Sequence, residues 1–257
     1  MAKPKSTTLN IVGPVGEFPQ VKLIAPTTSE YILLGLEIDH RPPIGFFIES
    51  GRKRMVLRTL KAAASEFQSV SGVIGATLFK TLISSPGGGT YLNANPEIPI
   101  AKYDVVLLIE LTDRDVLDAF VRSEMWKLAE SFAKENSRKT LMHTAVNFRR
   151  IGAVDHSRGG VFLFNFFAAD SLEQNLAVWE YTAGWFTDQT GLDNSTLLVP
   201  DPDENSDYTV INHCRWDHLW DIMPSLLFKR SFKDYVIRNF DANQTGPVPI
   251  LYRLAWV

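Results

Sequence analysis

The chain has 257 residues, 45% hydrophobic and 21% charged, a composition typical of a globular protein with a full core. Its formal net charge of −3 excludes the strongly basic balance of a general nucleic-acid binder or a protein of anionic membranes. One cysteine, Cys214, excludes an intramolecular disulfide and a metal site of paired thiolates, so we expect a reducing, cytoplasmic location. No apolar run has the length of a membrane span or the position of a secretion signal, so we expect no membrane partner.

The first 28 residues contain four prolines among small and polar residues, which predicts an extended N-terminal arm over 1–28. From Ser29 onward the hydrophobic periodicity predicts the order strand, helix, strand, strand, helix, strand. These elements are predicted at 31–38, 52–69, 72–82, 103–111, 113–135 and 141–148. An apolar insertion at 40–51, "HRPPIGFFIESG", interrupts the pattern, and we expect it to cover a pocket or a partner surface.

The same βαββαβ order then returns in the second part of the chain. Its elements are predicted at 161–168, 171–187, 195–200, 208–216, 217–240 and 249–257. The stretches 67–79 and 186–198 align without gaps at an offset of 119 residues, which matches Leu78 to Leu197. We interpret this as an internal repeat, with a degenerate first repeat at 29–155 and a second repeat at 156–257 that carries the pocket.

A βαββαβ unit is ferredoxin-like and belongs to the α+β class, with both helices on one face of a four-stranded sheet. The strand "VFLFNFFA" (161–168) is apolar at odd and even positions alike, so both faces of its sheet must be buried. We therefore predict two ferredoxin-like repeats packed sheet to sheet as a fused α+β barrel. The helices lie outside, and a cavity lies between the sheets.

Polar residues interrupt two strands of the second repeat. In "YTVINHCRW" (208–216), alternation places Tyr208, Asn212, Cys214 and Trp216 on one face and His213 on the other. We expect Asn212 and Trp216 to point together into the cavity and His213 to face the helices or an end of the sheet.

Asn165 is the one polar residue of "VFLFNFFA", and the first strand of this fold pairs with the third. We therefore expect Asn165 to lie near Asn212.

The segment "VINHCRWDHLWDIMPSLLFKRSFKDY" resembles the third strand and second helix of the antibiotic-biosynthesis-monooxygenase-like family of dimeric α+β barrels. The resemblance extends over 161–257 and, more weakly, over the first repeat. It implies a barrel that two chains form in the family and that one chain forms here. It also implies a cofactor-independent monooxygenase or cyclase-type activity in which Asn212 and Trp216 are catalytic.

The resemblance and the strand pattern together suggest a set of substrate-binding residues: Asn165, Tyr208, Cys214, Arg230 and Arg238. Arg230 and Arg238 stand near the place where the family has an arginine on the helix, though at a different spacing. Ile222 occupies the position of an expected aromatic hydroxyl, and Phe232 that of the proximal histidine of haem-degrading relatives. We therefore predict no haem and no other cofactor, and the spacing of the five histidines predicts no metal site.

The leading hypothesis is an enzyme that acts on a small aromatic or polyketide-like molecule held in the barrel. Two alternatives stay open: a carrier or sensor that uses the pocket without chemistry, and a structural assembly protein. Because the fusion satisfies the barrel interface internally, both a monomer and a homodimer agree with the sequence.

Overall fold

The computed structural model describes residues 9–39, 49–84, 89–204 and 206–255. Within these ranges eight antiparallel strands close into a barrel in the order β1-β3-β2-β8-β5-β7-β6-β4. The strands are β1 (Glu30–Glu37), β2 (Val73–Ser84), β3 (Val105–Leu111), β4 (Lys139–Gly152), β5 (Val161–Ala169), β6 (Ser195–Pro200), β7 (Val210–Trp216) and β8 (Thr245–Leu254). Helices pack outside the barrel wall, and the predicted α+β class is confirmed.

The helices are α1 (Gly51–Phe67), α2 (Thr90–Ala94), α3 (Arg114–Arg122), α4 (Glu124–Asn136), α5 (Leu172–Thr190), α6 (Leu219–Phe228), a π-helix (Phe232–Ile237) and α7 (Arg238–Ala242). The single helix predicted at 113–135 is two helices, because Ser123 is extended and caps α4 by accepting from the Trp126 N–H. The helix predicted at 217–240 is also interrupted, since Lys229 is extended after α6. In the described part of the chain, no helix is long and apolar enough to cross a bilayer.

Both halves of the barrel have the same strand order, β4-β1-β3-β2 in the first and β8-β5-β7-β6 in the second. The register also agrees: Leu107 of β3 lies opposite Leu34 and Leu78, and Asn212 of β7 lies opposite Asn165 and Leu197. Leu78 and Leu197 thus occupy equivalent positions in the two halves of the barrel. Pairing of β2 with β8 and of β4 with β6 joins the halves.

The side chains of β5 fill both faces of the barrel wall. Phe162, Phe164 and Phe166 point into the barrel and are fully buried, whereas Leu163 and Phe167 face the helices. Other aromatic rings complete the interior: Phe79, Tyr103, Tyr208 and Tyr252. The predicted cavity between the sheets is therefore wrong, because buried phenylalanine and tyrosine rings occupy that space.

Residues 9–23 of the predicted arm run along the outside of the second half, and residues 24–27 lie against β4 of the first half. The Val12 N–H donates to Asn239 Oδ1 at 2.9 Å, and Phe18 packs edge-on against Tyr235 with ring centroids 4.7 Å apart. The remaining arm residues 1–8, and 40–48 of the insertion, lie outside the described residues. The arm therefore contacts the helices that enclose the site.

Candidate functional site

A small cavity lies between the outer face of the second half-barrel and helix α5. Its volume is about 30 Å³, and we call it the inner cavity. Among its lining residues are Asn165, Asn212, Cys214 and Trp216, four of the predicted site residues. The structure thus brings them together, but on the helix side of the sheet and outside the barrel.

The two asparagines of the inner cavity lie directly opposite each other on β5 and β7. Asn212 Oδ1 accepts a 2.5 Å hydrogen bond from the Ser195 hydroxyl, and Asn212 Nδ2 lies 3.9 Å from Cys214 Sγ. Asn165 Oδ1 is buried and has no hydrogen-bond partner among the described residues. Because a buried, unpaired amide oxygen costs about 1–3 kcal/mol, Asn165 is the polar group of the cavity that is available to a ligand.

Trp216 and Cys214 complete the polar side of the inner cavity. The indole N–H of Trp216 donates to Thr190 Oγ1 at 3.0 Å, which fixes the ring and leaves its faces for packing. Burial raises the pKa of the Cys214 thiol well above its usual range, so this group is neutral at physiological pH. Both side chains therefore contribute shape and apolar surface.

A larger apolar pocket adjoins the inner cavity, and we call it the outer pocket. Its volume is about 330 Å³, and it lies between the wall strands β5 and β8, helix α6 and the π-helix. The two cavities share Leu163, Asn165, Phe186 and Phe240 as lining residues. Asn165 consequently stands at the junction of a polar inner end and an apolar outer chamber of the size that small-molecule ligands occupy.

His213 was predicted to face away from Asn212, toward the helices or an end of the sheet; it does face away from Asn212, but not toward the helices. Its ring points into the barrel, where it stacks on Phe164 with centroids 4.1 Å apart. His213 Nδ1 lies 3.0 Å from the Leu163 carbonyl oxygen, and its Nε2 lies 2.8 Å from His156 Nε2. These two contacts satisfy both ring nitrogens. The imidazole lies inside the barrel, whereas the inner cavity lies outside the barrel wall.

Tyr208 was predicted on the face of Asn212, but it lies inside the barrel and its hydroxyl donates to the Pro99 carbonyl. Strand β7 begins at Val210, so alternation does not extend back to Tyr208. The predicted arginines also lie elsewhere. Arg230 and Arg238 are exposed and both pair with Asp234, at 2.8 and 3.4 Å.

Sequence reasoning missed Ser195, whose hydroxyl holds the Asn212 amide. The signal was available, since Ser195 and Leu197 share one face of β6 and Leu197 lies opposite Asn212. Residues from α5, such as Trp179 and Thr182, also line the inner cavity. Among the described residues, no group of three or more histidine, cysteine, aspartate or glutamate side chains is placed to hold a metal.

The first half contains an apolar counterpart of this site. Leu34 and Leu107 occupy the positions of Asn165 and Asn212, and Leu111 that of Trp216. All three leucines are fully buried, in a cluster with Phe67 and Trp126. At these three matched positions, the polar side chains are those of the second half, on the helix side of its sheet.

The chain matches no protein-family model and no curated protein. Solved structures resemble it. One, of an anthrone oxidase-like protein, superposes with a TM-score of 0.64 at 10% identity, covering 91% of this chain and 94% of that one. Another, named "Putative monooxygenase", from Fusobacterium nucleatum subsp. nucleatum, has a TM-score of 0.55 at 8% identity, covering 89% of this chain and 92% of that one. These likenesses establish a shared fold over nearly the whole chain, and the activity has to be argued from the cavities.

Proposed function

We propose that the chain is a tandem fusion of two ferredoxin-like repeats whose second repeat binds a small aromatic molecule in the outer pocket, next to Asn165. We propose further that it acts on this molecule as a cofactor-independent monooxygenase or cyclase-type enzyme. The observation that carries the proposal is Asn165 Oδ1, which has no hydrogen-bond partner among the described residues and stands at the junction of the two cavities. The names of the two similar structures, an anthrone oxidase-like protein and a "Putative monooxygenase", agree with it.

The chemistry follows from the Asn165 oxygen, which accepts no hydrogen bond from the part of the chain that the structure describes. The side chain of Asn165 can accept from a phenolic hydroxyl through Oδ1 or, after a half-turn of the amide, donate to a developing enolate oxygen through Nδ2. An enolate activated in this way reacts with dioxygen at carbon. A ring CH₂ group then becomes a carbonyl as water is released, which balances one O₂ against one C=O and one H₂O. Phe186, which lines the outer pocket as well as the inner cavity, supplies stacking surface for the rings.

A carrier or sensor without chemistry is the second candidate, and one observation favours it. Among the described residues that line the two cavities, Cys214 is the ionisable one, and its pKa is raised by burial. The cavities thus present no charged general base, and an enzyme here would depend on a substrate that is itself acidic.

The deciding experiment combines binding with turnover. Anthrone, which is planar and loses a ring proton readily, is added to the protein in air. Binding is followed by quenching of tryptophan fluorescence, and turnover by oxygen uptake and quinone absorbance. The enzyme proposal expects both, with turnover lost in Asn165→Leu and retained in Asn136→Leu, a matched change on α4 of the first half.

Saturable quenching without oxygen uptake would support the carrier. If wild-type protein showed neither signal with anthrone nor with a panel of quinols and polyketide mimics, both candidates would be rejected.

A further inference from the structure

Helix α6 has large apolar side chains on the face that it turns to solvent. Trp220, Leu227 and Phe228 are 80%, 65% and 83% exposed, and we call these three residues the α6 patch. Because successive helical residues are about 100° apart, Trp220 and Leu227 project in nearly the same direction, with Phe228 beside them. Ile222 and Ser225, on the opposite side of the helix, are buried.

The patch forms the rim of the outer pocket. Leu227 lines that pocket together with Met223 and Leu226 of the same helix, and Leu227 is also largely exposed. The interior apolar surface of the pocket is therefore continuous with the apolar surface of the α6 patch. A contiguous exposed apolar patch of this kind marks a surface that contacts another protein or a membrane.

Basic residues follow the patch immediately. Lys229, Arg230 and Lys233 are all exposed, and the Arg230 side chain is 91% exposed. Asp234 lies among them and pairs with Arg230 and with Arg238. The Phe228 end of the patch is thus locally cationic, whereas the exposed Asp217 and Asp221 lie on either side of Trp220 at its other end. Tryptophan and aliphatic side chains beside lysine and arginine are the composition of protein surfaces that lie at a lipid interface.

We propose that the α6 patch docks on an anionic lipid bilayer. Trp220, Leu227 and Phe228 enter the boundary between headgroups and acyl chains, and the neighbouring cations contact lipid phosphates. The sequence-based expectation of no membrane partner depended on net charge and on the length of apolar runs, neither of which detects a local surface. The contact is peripheral and reversible, since three side chains and a few cations give modest affinity.

The docking places the mouth of the outer pocket against the lipid. An aromatic ligand that dissolves poorly in water partitions into the bilayer and can pass directly from it to the pocket past Leu227. This last step depends on the function proposed above, whereas the lipid contact itself does not.

The test is co-sedimentation of the full-length protein with vesicles of phosphatidylcholine alone and of phosphatidylcholine mixed with phosphatidylglycerol. We expect binding to the anionic vesicles that weakens as salt is raised. The double variant Trp220→Ser/Phe228→Ser should lower the bound-to-free ratio at least about tenfold, as should Lys229→Glu/Lys233→Glu. Leu128→Ser removes a side chain that is 70% exposed on α4 and should leave binding unchanged.

Equal sedimentation of the wild type and the Trp220→Ser/Phe228→Ser variant, or no binding to anionic vesicles, would overturn the proposal. A concentration-dependent dimer that the same variant abolishes, without vesicle binding, would identify the patch as a subunit interface and overturn it too. The variant leaves the lining of both cavities intact, so fluorescence quenching by anthrone in solution tests the proposed function separately. Unchanged circular dichroism and melting temperature verify that the variants are folded.

Discussion

Asn165 and Asn212 lie opposite each other on neighbouring strands, and their amides have different hydrogen-bonding states. The oxygen of Asn212 accepts from Ser195, whereas the oxygen of Asn165 is buried and has no partner among the described residues. The Asn212 amide therefore stabilises the fold, and the Asn165 amide has unused hydrogen-bonding capacity for a ligand. Mutation of the two residues should separate stability from binding.

Asn165→Leu should keep or raise the free energy of unfolding by up to about 1 kcal/mol, because it removes an unsatisfied acceptor from an apolar site. The same change should weaken the binding of aromatic ligands by about tenfold, which corresponds to one lost hydrogen bond. Asn212→Leu should instead lower the free energy of unfolding by about 1–3 kcal/mol, because the Ser195 hydroxyl loses its acceptor. Urea denaturation and fluorescence titration measure the two quantities. Equal destabilisation by both variants would contradict the assignment.

Gly184 of α5 should be intolerant of a side chain. A β-carbon at this position would overlap the Pro19 carbonyl oxygen of the arm. Glycine to alanine in a helix interior ordinarily stabilises by about 1 kcal/mol, but here the arm must move away. Gly184→Ala should therefore make residues near Pro19 susceptible to limited proteolysis. Gly51→Ala is the control, because a β-carbon on Gly51 of α1 meets no atom within 4 Å. Equal protection of the arm in both variants would show that Pro19 does not pack on α5.

The histidine pair in the barrel should make the protein sensitive to mild acid. Burial lowers the pKa of His156 to about 4 and holds the pKa of His213 well below its usual range. In the unfolded chain both rings take up protons near a pKa of about 6.5, so the unfolded state binds more protons below that pH. Lowering the pH from about 6.5 towards 4 should therefore reduce the free energy of unfolding, by up to about 1.4 kcal/mol per pH unit for each ring.

His156→Phe provides the comparison, since the new ring can pack beside Phe79 and Phe162, which already contact His156. Urea denaturation over this pH range should give a smaller slope in the variant, because carboxylates titrate alike in both proteins. An identical slope in the two proteins would mean that His156 is not buried in its neutral form.

A buried ion pair at the start of α1 should be strongly coupled. Lys53 Nζ lies 3.4 Å from Asp104 Oδ2, and both side chains are 1% exposed. Burial raises the pKa of Asp104, while Lys53 and the Ile38 and Asp39 N–H groups oppose that shift. Lys53→Met should lower the free energy of unfolding by about 3–5 kcal/mol, because it leaves the carboxylate uncompensated.

Lys53→Met/Asp104→Asn should recover a large part of this loss, since no buried charge then remains. Urea denaturation of the wild type, both single variants and the double variant completes the cycle. Strict additivity of the two single effects would indicate that the pair is not coupled.

The sequence allowed the order of most elements to be predicted, because period-two and helical patterns repeat at matched spacings. It did not show which face of β5 looks into the barrel, since that strand is apolar on both sides. Alternation separated Asn212 from His213 correctly. Only the structure shows that His213 is the inward residue, because the contacts that satisfy it, Leu163 and His156, come from other parts of the chain.

Four of the predicted site residues lie together because cross-strand pairing and alternation are local rules, but the cavity that they line is outside the barrel and not between the sheets. The prediction failed for Tyr208, which precedes its strand, and for Arg230 and Arg238, whose helix is interrupted at Lys229. A break of this kind changes the direction of every later side chain, and the sequence around Lys229 contains no glycine to signal it.

The paired strands of the two halves differ at one matched position, where Leu34 meets Leu107 and Asn165 meets Asn212. In a barrel assembled from two copies of one chain, a polar residue introduced at that position would appear twice and cost stability twice. Covalent linkage removes this constraint, because the two sheets of one chain can carry different residues at the matched position. The buried leucine pair stabilises the first half by apolar packing, and the cost of the unsatisfied Asn165 oxygen is borne once instead of twice.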